Sequence, residues 1–100
     1  MRRAVSVLAM SAPSVRHDAA NHVFYLEMAS RAPDDCPRVY YHPLAENRWD
    51  FDHTMTPREL QGQGLARQVC AAAFAFCDEK GIDYSQSSCT YVVKLLGERQ

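Results

Sequence analysis

Between Arg48 and Lys80 the chain changes its hydrophobic period once, and at the change it carries a pair of closely spaced glycines. From Arg48 to Met55, Trp49, Phe51, His53 and Met55 alternate with Arg48, Asp50, Asp52 and Thr54, the period of two that a long strand with one apolar face requires. From about Gly64 to Lys80, Leu65, Val69, Ala72, Ala73 and Phe76 recur at helical spacing, and Gly81 supplies the residue on which such a helix stops. A long strand therefore feeds a long helix through Gln61-Gly62-Gln63-Gly64-Leu65-Ala66.

The position of that stretch matters more than its glycines. A helix N-terminus leaves about four N–H groups unpaired and carries roughly half a positive charge, so it attracts phosphate. Gly62 and Gly64 have no side chain to keep a phosphate off the backbone, and Ala66 keeps the first turn open. The stretch is not a Walker A loop, which needs a longer glycine spacing and a Lys-Ser/Thr pair. Nor is it G-x-G-x-x-G, because Arg67 stands in the third glycine's place. On local sequence alone the glycines are equally consistent with a tight turn and no ligand. Thr56-Pro57-Arg58-Glu59 has the form of a capping box and reads as one short turn ahead of the glycines.

Upstream, Ser14 to Asp18 reads as a short strand and Asp18-Ala19-Ala20-Asn21 as a turn. His22 to Met28 is open between strand and helix, because Phe24, Leu26 and Met28 alternate against Tyr25 and Glu27 while the flanking alanines tolerate a helix. Ser30 to Pro37 is a loop, Arg38 to His42 a strand ended by Pro43, and Leu44 to Asn47 a turn with Asn47 left-handed. Downstream, Ile82 to Ser88 reads as another strand and Tyr91 to Leu96 as a short last helix. This order implies the α+β class with a mixed sheet.

A chain of 100 residues has room for one domain, expected over 13–100. Residues 1–12 read as a leader or an extra edge strand; Arg2-Arg3 and the run Ala4 to Met10 have the outline of a short secretory signal, interrupted by Ser6. No segment approaches the ~20 apolar residues that span a bilayer, so no membrane partner is expected. A net charge of −1 lacks the cationic field that nucleic acid demands. Cys36, Cys70, Cys77 and Cys89 form no C-x-x-C pair, so free thiols and a cytoplasmic protein are expected. His17, His22 and His42 lack ligand spacing, and no metal site is assigned.

The run from His53 to Ala66 (HTMTPRELQGQGLA) resembles the H-T-x-V-P-x-x-x-(R/Q)-G-x-G-x-A signature of the small, single-domain N-acetyltransferases of the GNAT superfamily. The small-residue helix CAAAFAF is similar too, as is Ser88-Cys89-Thr90-Tyr91-Val92 to the S-C-x-Y-V of that branch; together the likeness covers about His17 to Leu96. The resemblance implies a GNAT-like mixed, splayed sheet with one long helix after the central strand and a short C-terminal helix. It also implies acetyl-coenzyme A as co-substrate, its pantetheine arm in the splay and its pyrophosphate on the N–H groups of Gln61, Gly62, Gln63, Gly64, Leu65 and Ala66. Main-chain groups at Met55 and Thr56 would hold the arm, and an N–H there would polarise the thioester carbonyl. Thr56 departs from the family's valine, Gln61 takes the glutamine option, and the Asn-Pro commonly found beyond the last helix is not present.

By the same resemblance the activity is acetyl-CoA-dependent transfer to an amine, the alternative being a non-catalytic acyl-CoA-binding module. Acetyl transfer needs a polarised thioester, a deprotonated amine and a proton donor for the departing thiolate. Cys89 fits the branch's proposed reactive thiol, and either accepts the acetyl group or lines the pocket. Tyr91 either protonates the thiolate or packs under the last helix. His53 matches the family histidine; it is the candidate base, or else a hydrogen-bonded core residue beside Trp49 and Phe51. Asp50 and Asp52 are expected in solvent on the opposite face, and Cys70 and Cys77 in the core. Larger members wall off the acceptor side with early helices. None is evident before Gly64, which suits a protein or peptide amine.

Overall fold

A computed structural model describes residues 14–99, so the leader or edge strand expected over 1–12 lies outside the described residues. Four strands, β1 (Ser14–Asp18), β2 (Val23–Glu27), β3 (Arg38–Ala45) and β4 (Arg48–Met55), form an antiparallel meander in the order β1-β2-β3-β4. Two helices follow, α1 (Leu65–Lys80) and α2 (Thr90–Glu98). The architecture is α+β, with the long helix after β4 and the short one at the C-terminus.

The open reading at His22 to Met28 resolves to strand because alternation wins: Phe24 and Leu26 are buried inward, and both pair with β1. A single turn of 3₁₀ helix at Ala19–Asn21 makes the reversal, capped by Asp18, which accepts the Asn21 N–H at 3.3 Å. Its last step is taken by His22 in the left-handed region (φ 54°). No α-helix precedes Leu65 among the described residues.

Three expectations fail locally. Pro43 does not end β3; it sits opposite Trp49 where the register shifts before Ala45, a position in which a missing N–H breaks no regular ladder. Asn47 is not left-handed: His22 and Ser30 are the non-glycine residues with positive φ among those described. Ile82 to Ser88 forms no strand, and its sheet pairing reduces to one parallel bridge between Asp83 and Arg48.

The fourth correction matters most for function. Tyr40 pairs with His53 and Tyr41 with Phe51, which leaves Asp52 as an extra residue in β4. Such a bulge shifts the alternation by one. Trp49 and Phe51 point to the core as expected, but beyond Asp52 the inward residue is Thr54, opposite buried Val39. His53 and Met55 turn to the other face, so His53 is not a core histidine.

Both helices cover the inward face. Phe51, fully buried, lies at the centre, with Phe74 of α1 and Tyr84 each edge-on to it at 5.6 and 5.8 Å. Val69, Cys70, Ala73 and Cys77 of α1 and Val92 and Leu95 of α2 complete the packing, so the expected core role of Cys70 and Cys77 holds. Toward the β1 end, Tyr41 stacks on Trp49 at 3.7 Å and His17 on Phe24 at 4.2 Å, with His17 Nε2 2.7 Å from the Tyr41 hydroxyl. Each buried side chain of this size contributes about 1.5–3 kcal/mol.

Candidate functional site

The chain leaves β4 at Met55, makes a 3₁₀ turn at Arg58–Leu60 and reaches α1 through the glycines. The capping-box pattern does not cap: the turn has no side-chain cap, and Glu59 instead accepts from Arg31 at 2.7 Å. Arg31 also donates to Asp35 at 3.1 Å, so it ties this turn to the β2–β3 loop. The Arg31 guanidinium holds the Glu59 carboxyl below the usual carboxylate range. The Gln61 side chain folds back on its own loop, donating to Thr56 O at 3.1 Å.

Gly62 (φ 83°) and Gly64 (φ 76°) are both left-handed, which explains why this loop needs glycine. A Cβ built on either would meet no protein atom within 4 Å, so the space above the loop is free for a ligand. Gly64 caps α1 without a side-chain hydrogen bond, and the first helical bond at this end runs from Gln68 N–H to Gly64 O. Among the described residues no acceptor meets the N–H groups of Leu65, Ala66 and Arg67. These donors, with the positive end of the helix dipole, form a site for an anion. The donor set fits a diphosphate.

A second feature adjoins it. The segment that would have been a fifth strand follows β4 only as far as Phe51, where Cys89 N–H donates to Phe51 O at 3.0 Å. Cys89 is then the N-cap of α2, and the chain turns away. No strand accompanies the outer side of β4 from Asp52 to Met55 among the described residues. The result is a wedge between the uncovered stretch of β4 and the start of α2.

Cys89, half-buried, stands in that wedge with Sγ 3.6 Å from Thr54 Oγ1. Tyr91 is half-buried against the core cluster, and burial, with Cys70 nearby, raises its hydroxyl pKa while Arg67 opposes the shift. Cys70 lies behind Cys89, and burial pushes its thiol up to about 12. His53 does not join this group. Its ring stacks on Tyr40 at 5.8 Å on the uncovered face of the sheet, beside Asp52 and exposed Met55. Thr56 is half-buried at the mouth of the loop.

The sequence-selected residues thus divide between two places. Cys89, Tyr91, the glycine loop and the start of α1 gather on the helix side of the β4 edge; His53 and Met55 lie on the other side of the same edge. Thr54 joins the helix side although simple alternation along β4 places it in solvent. A signal for the bulge is absent from the local sequence. Among the described residues no group of three or more His, Cys, Asp or Glu side chains is placed to hold a metal, and no helix is long and apolar enough to cross a membrane.

Comparison with known proteins agrees with this fold. The chain is similar to a GCN5-like protein from Staphylococcus aureus whose solution structure superimposes with a TM-score of 0.64 at 20% identity, over 86% of this chain and 79% of that one. At that identity the likeness speaks for the fold. No curated protein matches the sequence significantly. The sequence model described as GCN5-related N-acetyl-transferase matches residues 25–100, which span β2 to α2 and both halves of the site. The chain belongs to the GCN5-related N-acetyltransferase family, and it is an acyltransferase by that membership.

Proposed function

We propose that this protein transfers the acetyl group of acetyl-coenzyme A to an amine. The observation that carries the reading is the junction of two features: unpaired N–H groups under Gly64, and the uncovered edge of β4 that runs up to them. The N–H groups of Leu65, Ala66 and Arg67 take the pyrophosphate, and the left-handed glycines let it reach the backbone. Gln61 serves by shaping the loop, and Gln63 offers its main chain. Met55 and Thr56 present the main-chain groups that hold the pantetheine arm and polarise the thioester carbonyl.

On this reading the chemistry is divided between the two sides of this edge. His53, on the open face, takes the proton of the incoming amine; amine nitrogen bonds to the thioester carbon as the C–S bond breaks. Tyr91, kept protonated by burial, donates to the departing thiolate. Cys89 lines the sulfur's place. Its hydrogen-bonding neighbour is the Thr54 hydroxyl rather than an imidazole, which favours direct transfer over an acetyl-cysteine intermediate. A face that no helix covers among the described residues suits a protein or peptide amine as acceptor.

Titration with acetyl-CoA, followed by intact-mass analysis with and without a panel of amines and peptides, tests the reading. We expect thermal stabilisation, about 2.7 kcal/mol at ~100 times the dissociation constant, acetylated acceptor and unmodified enzyme. Binding without transfer to any amine would favour the acyl-CoA-binding module. No stabilisation at saturating acetyl-CoA would overturn the proposal.

A further inference from the structure

The outer side of β4 near Arg48 is lined by a segment that side chains, more than a backbone ladder, hold in place. Three steps along β4, from Arg48 to Phe51, face six along the opposing segment, from Asp83 to Cys89. A strand cannot absorb that excess. The chain doubles into a turn, with the Ser85 N–H and hydroxyl both donating to Asp83 Oδ1 at 2.9 and 2.7 Å.

Side chains then supply what a ladder would. The Ser87 hydroxyl donates to Tyr84 O at 2.7 Å and accepts the Phe51 N–H at 3.1 Å. Asp50 Oδ1 accepts both the Ser88 N–H, at 2.8 Å, and the Ser88 hydroxyl, at 2.9 Å. Main-chain pairing resumes only at Cys89, whose N–H reaches Phe51 O. Asp50, half-buried at a solvent-accessible edge, is thus more than a carboxylate spaced along a strand; it is the anchor of the residue preceding Cys89.

We infer that Asp50 is a positioning residue: through Ser88 it fixes where Cys89 stands against Thr54, and so sets the width of the wedge beyond Phe51. A carboxylate suits the task because one oxygen takes two donors, and hydrogen bonds to a charged acceptor are the stronger kind. The inference rests on the proposed function only for what fills the wedge. The clamp itself is read from the hydrogen bonds.

The protein carries its own controls. Cys36, Cys70 and Cys77 are at most 1% exposed, whereas Cys89 is half-buried at the wedge. Burial also pushes the Cys70 and Cys77 thiols up to about 12, so near pH ~8 they stay protonated as well as enclosed. Alkylation with iodoacetamide, read cysteine by cysteine from peptide masses, therefore separates local loosening from unfolding. Asp50→Ala should accelerate Cys89 by about tenfold, the scale of losing a charged acceptor, while the other three stay slow. Ser88→Ala keeps its N–H bond to Asp50 and should show a smaller rise. Asp50→Asn keeps one acceptor oxygen and should return Cys89 to within about twofold of the native rate.

An unchanged Cys89 rate in folded Asp50→Ala would overturn the inference. So would acceleration of all four cysteines together in both Asp50→Ala and the milder Ser88→Ala, since that means the bonds hold the whole fold. A further arm adds saturating acetyl-CoA to native protein, where Cys89 should be protected. If protection is absent while Asp50→Ala still accelerates Cys89, the coenzyme reading fails and the clamp stands.

Discussion

Gly64 and Gly81 form a matched pair on which the coenzyme proposal can be tested. Both are left-handed, at φ 76° and 72°, and a Cβ on either meets nothing within 4 Å. They bracket the same helix of 16 residues, Gly64 at its N-cap and Gly81 at its C-cap, about 26 Å apart. Replacing either with alanine therefore carries the same backbone penalty, about 1–2 kcal/mol for a non-glycine residue held in this region, or roughly 4–8 °C in Tm per kcal/mol for a domain of this size. Their effects on the coenzyme should differ. At Gly64 the added methyl intrudes on the space under which Leu65, Ala66 and Arg67 point their N–H groups, and weakening even one charge-assisted hydrogen bond costs about 1.5–3 kcal/mol. Gly64→Ala should lower acetyl-CoA affinity by about tenfold or more; Gly81→Ala should change it by less than about twofold. Calorimetric titration gives the affinities and thermal melts of the free proteins give the stabilities. Equal affinity in the two variants at similar stability would refute the placement of the pyrophosphate.

His53→Ala should reduce kcat by about 10²–10⁴-fold and leave acetyl-CoA affinity intact, because the ring lies on the opposite side of β4 from the wedge; loss of coenzyme binding would contradict that placement. Arg31→Gln releases the turn before the glycines from Asp35 and Glu59, and should raise KM for acetyl-CoA several-fold with little change in Tm, since exposed pairs contribute little to stability. His17 gives a pH signature. Burial lowers its pKa from 6.5, so the unfolded chain binds the proton first and stability falls as pH drops through about 6.5. Comparing melts of native protein and His17→Gln between pH ~5 and ~8 should show a steeper acid loss in the native protein; parallel curves would refute this assignment. Phe51→Ala should cost about 3–5 kcal/mol in urea denaturation.

Periodic stretches were legible in the sequence, and features built on side-chain hydrogen bonds were not. The limits of β4 matched their expected positions, and α1 began one residue later, because long runs of one period leave a single packed solution. The glycine loop was legible because only glycine takes φ near 80° without strain. The bulge at Asp52 was not, since inserting one residue leaves composition and alternation intact while reversing every side chain beyond it. That single residue moved His53 to the open face and half-buried Thr54 to the helix side. Ile82 to Ser88 misled for the opposite reason. Its residues pack like a strand at Tyr84, but Asp83, Ser85, Ser87 and Asp50 offer hydrogen bonds that compete with a ladder, and that chemistry resembles ordinary polar surface when read along the chain.

The reversal at Asp52 also has a consequence for how two reactants meet. If β4 alternated without interruption, His53 would point at the helices and share one crowded side with Cys89, Tyr91 and the coenzyme, leaving the amine no base on its own approach. With the extra residue, Thr54 takes the helix side and His53 the open side of a strand whose edge no other strand covers among the described residues. On the proposed reading, the thioester lies at that edge with its sulfur toward Thr54 and Cys89, and the amine arrives over Tyr40 and His53. Proton removal and thiolate protonation are then carried out by residues that never compete for one pocket. Deleting Asp52 should remove the bulge while Tyr40 still pairs with His53 and Val39 with Thr54, so His53 stays on the open face and transfer persists, as does coenzyme binding at the start of α1. A deletion variant that folds and binds acetyl-CoA but has lost transfer would show that the side His53 faces is not what the reaction depends on here.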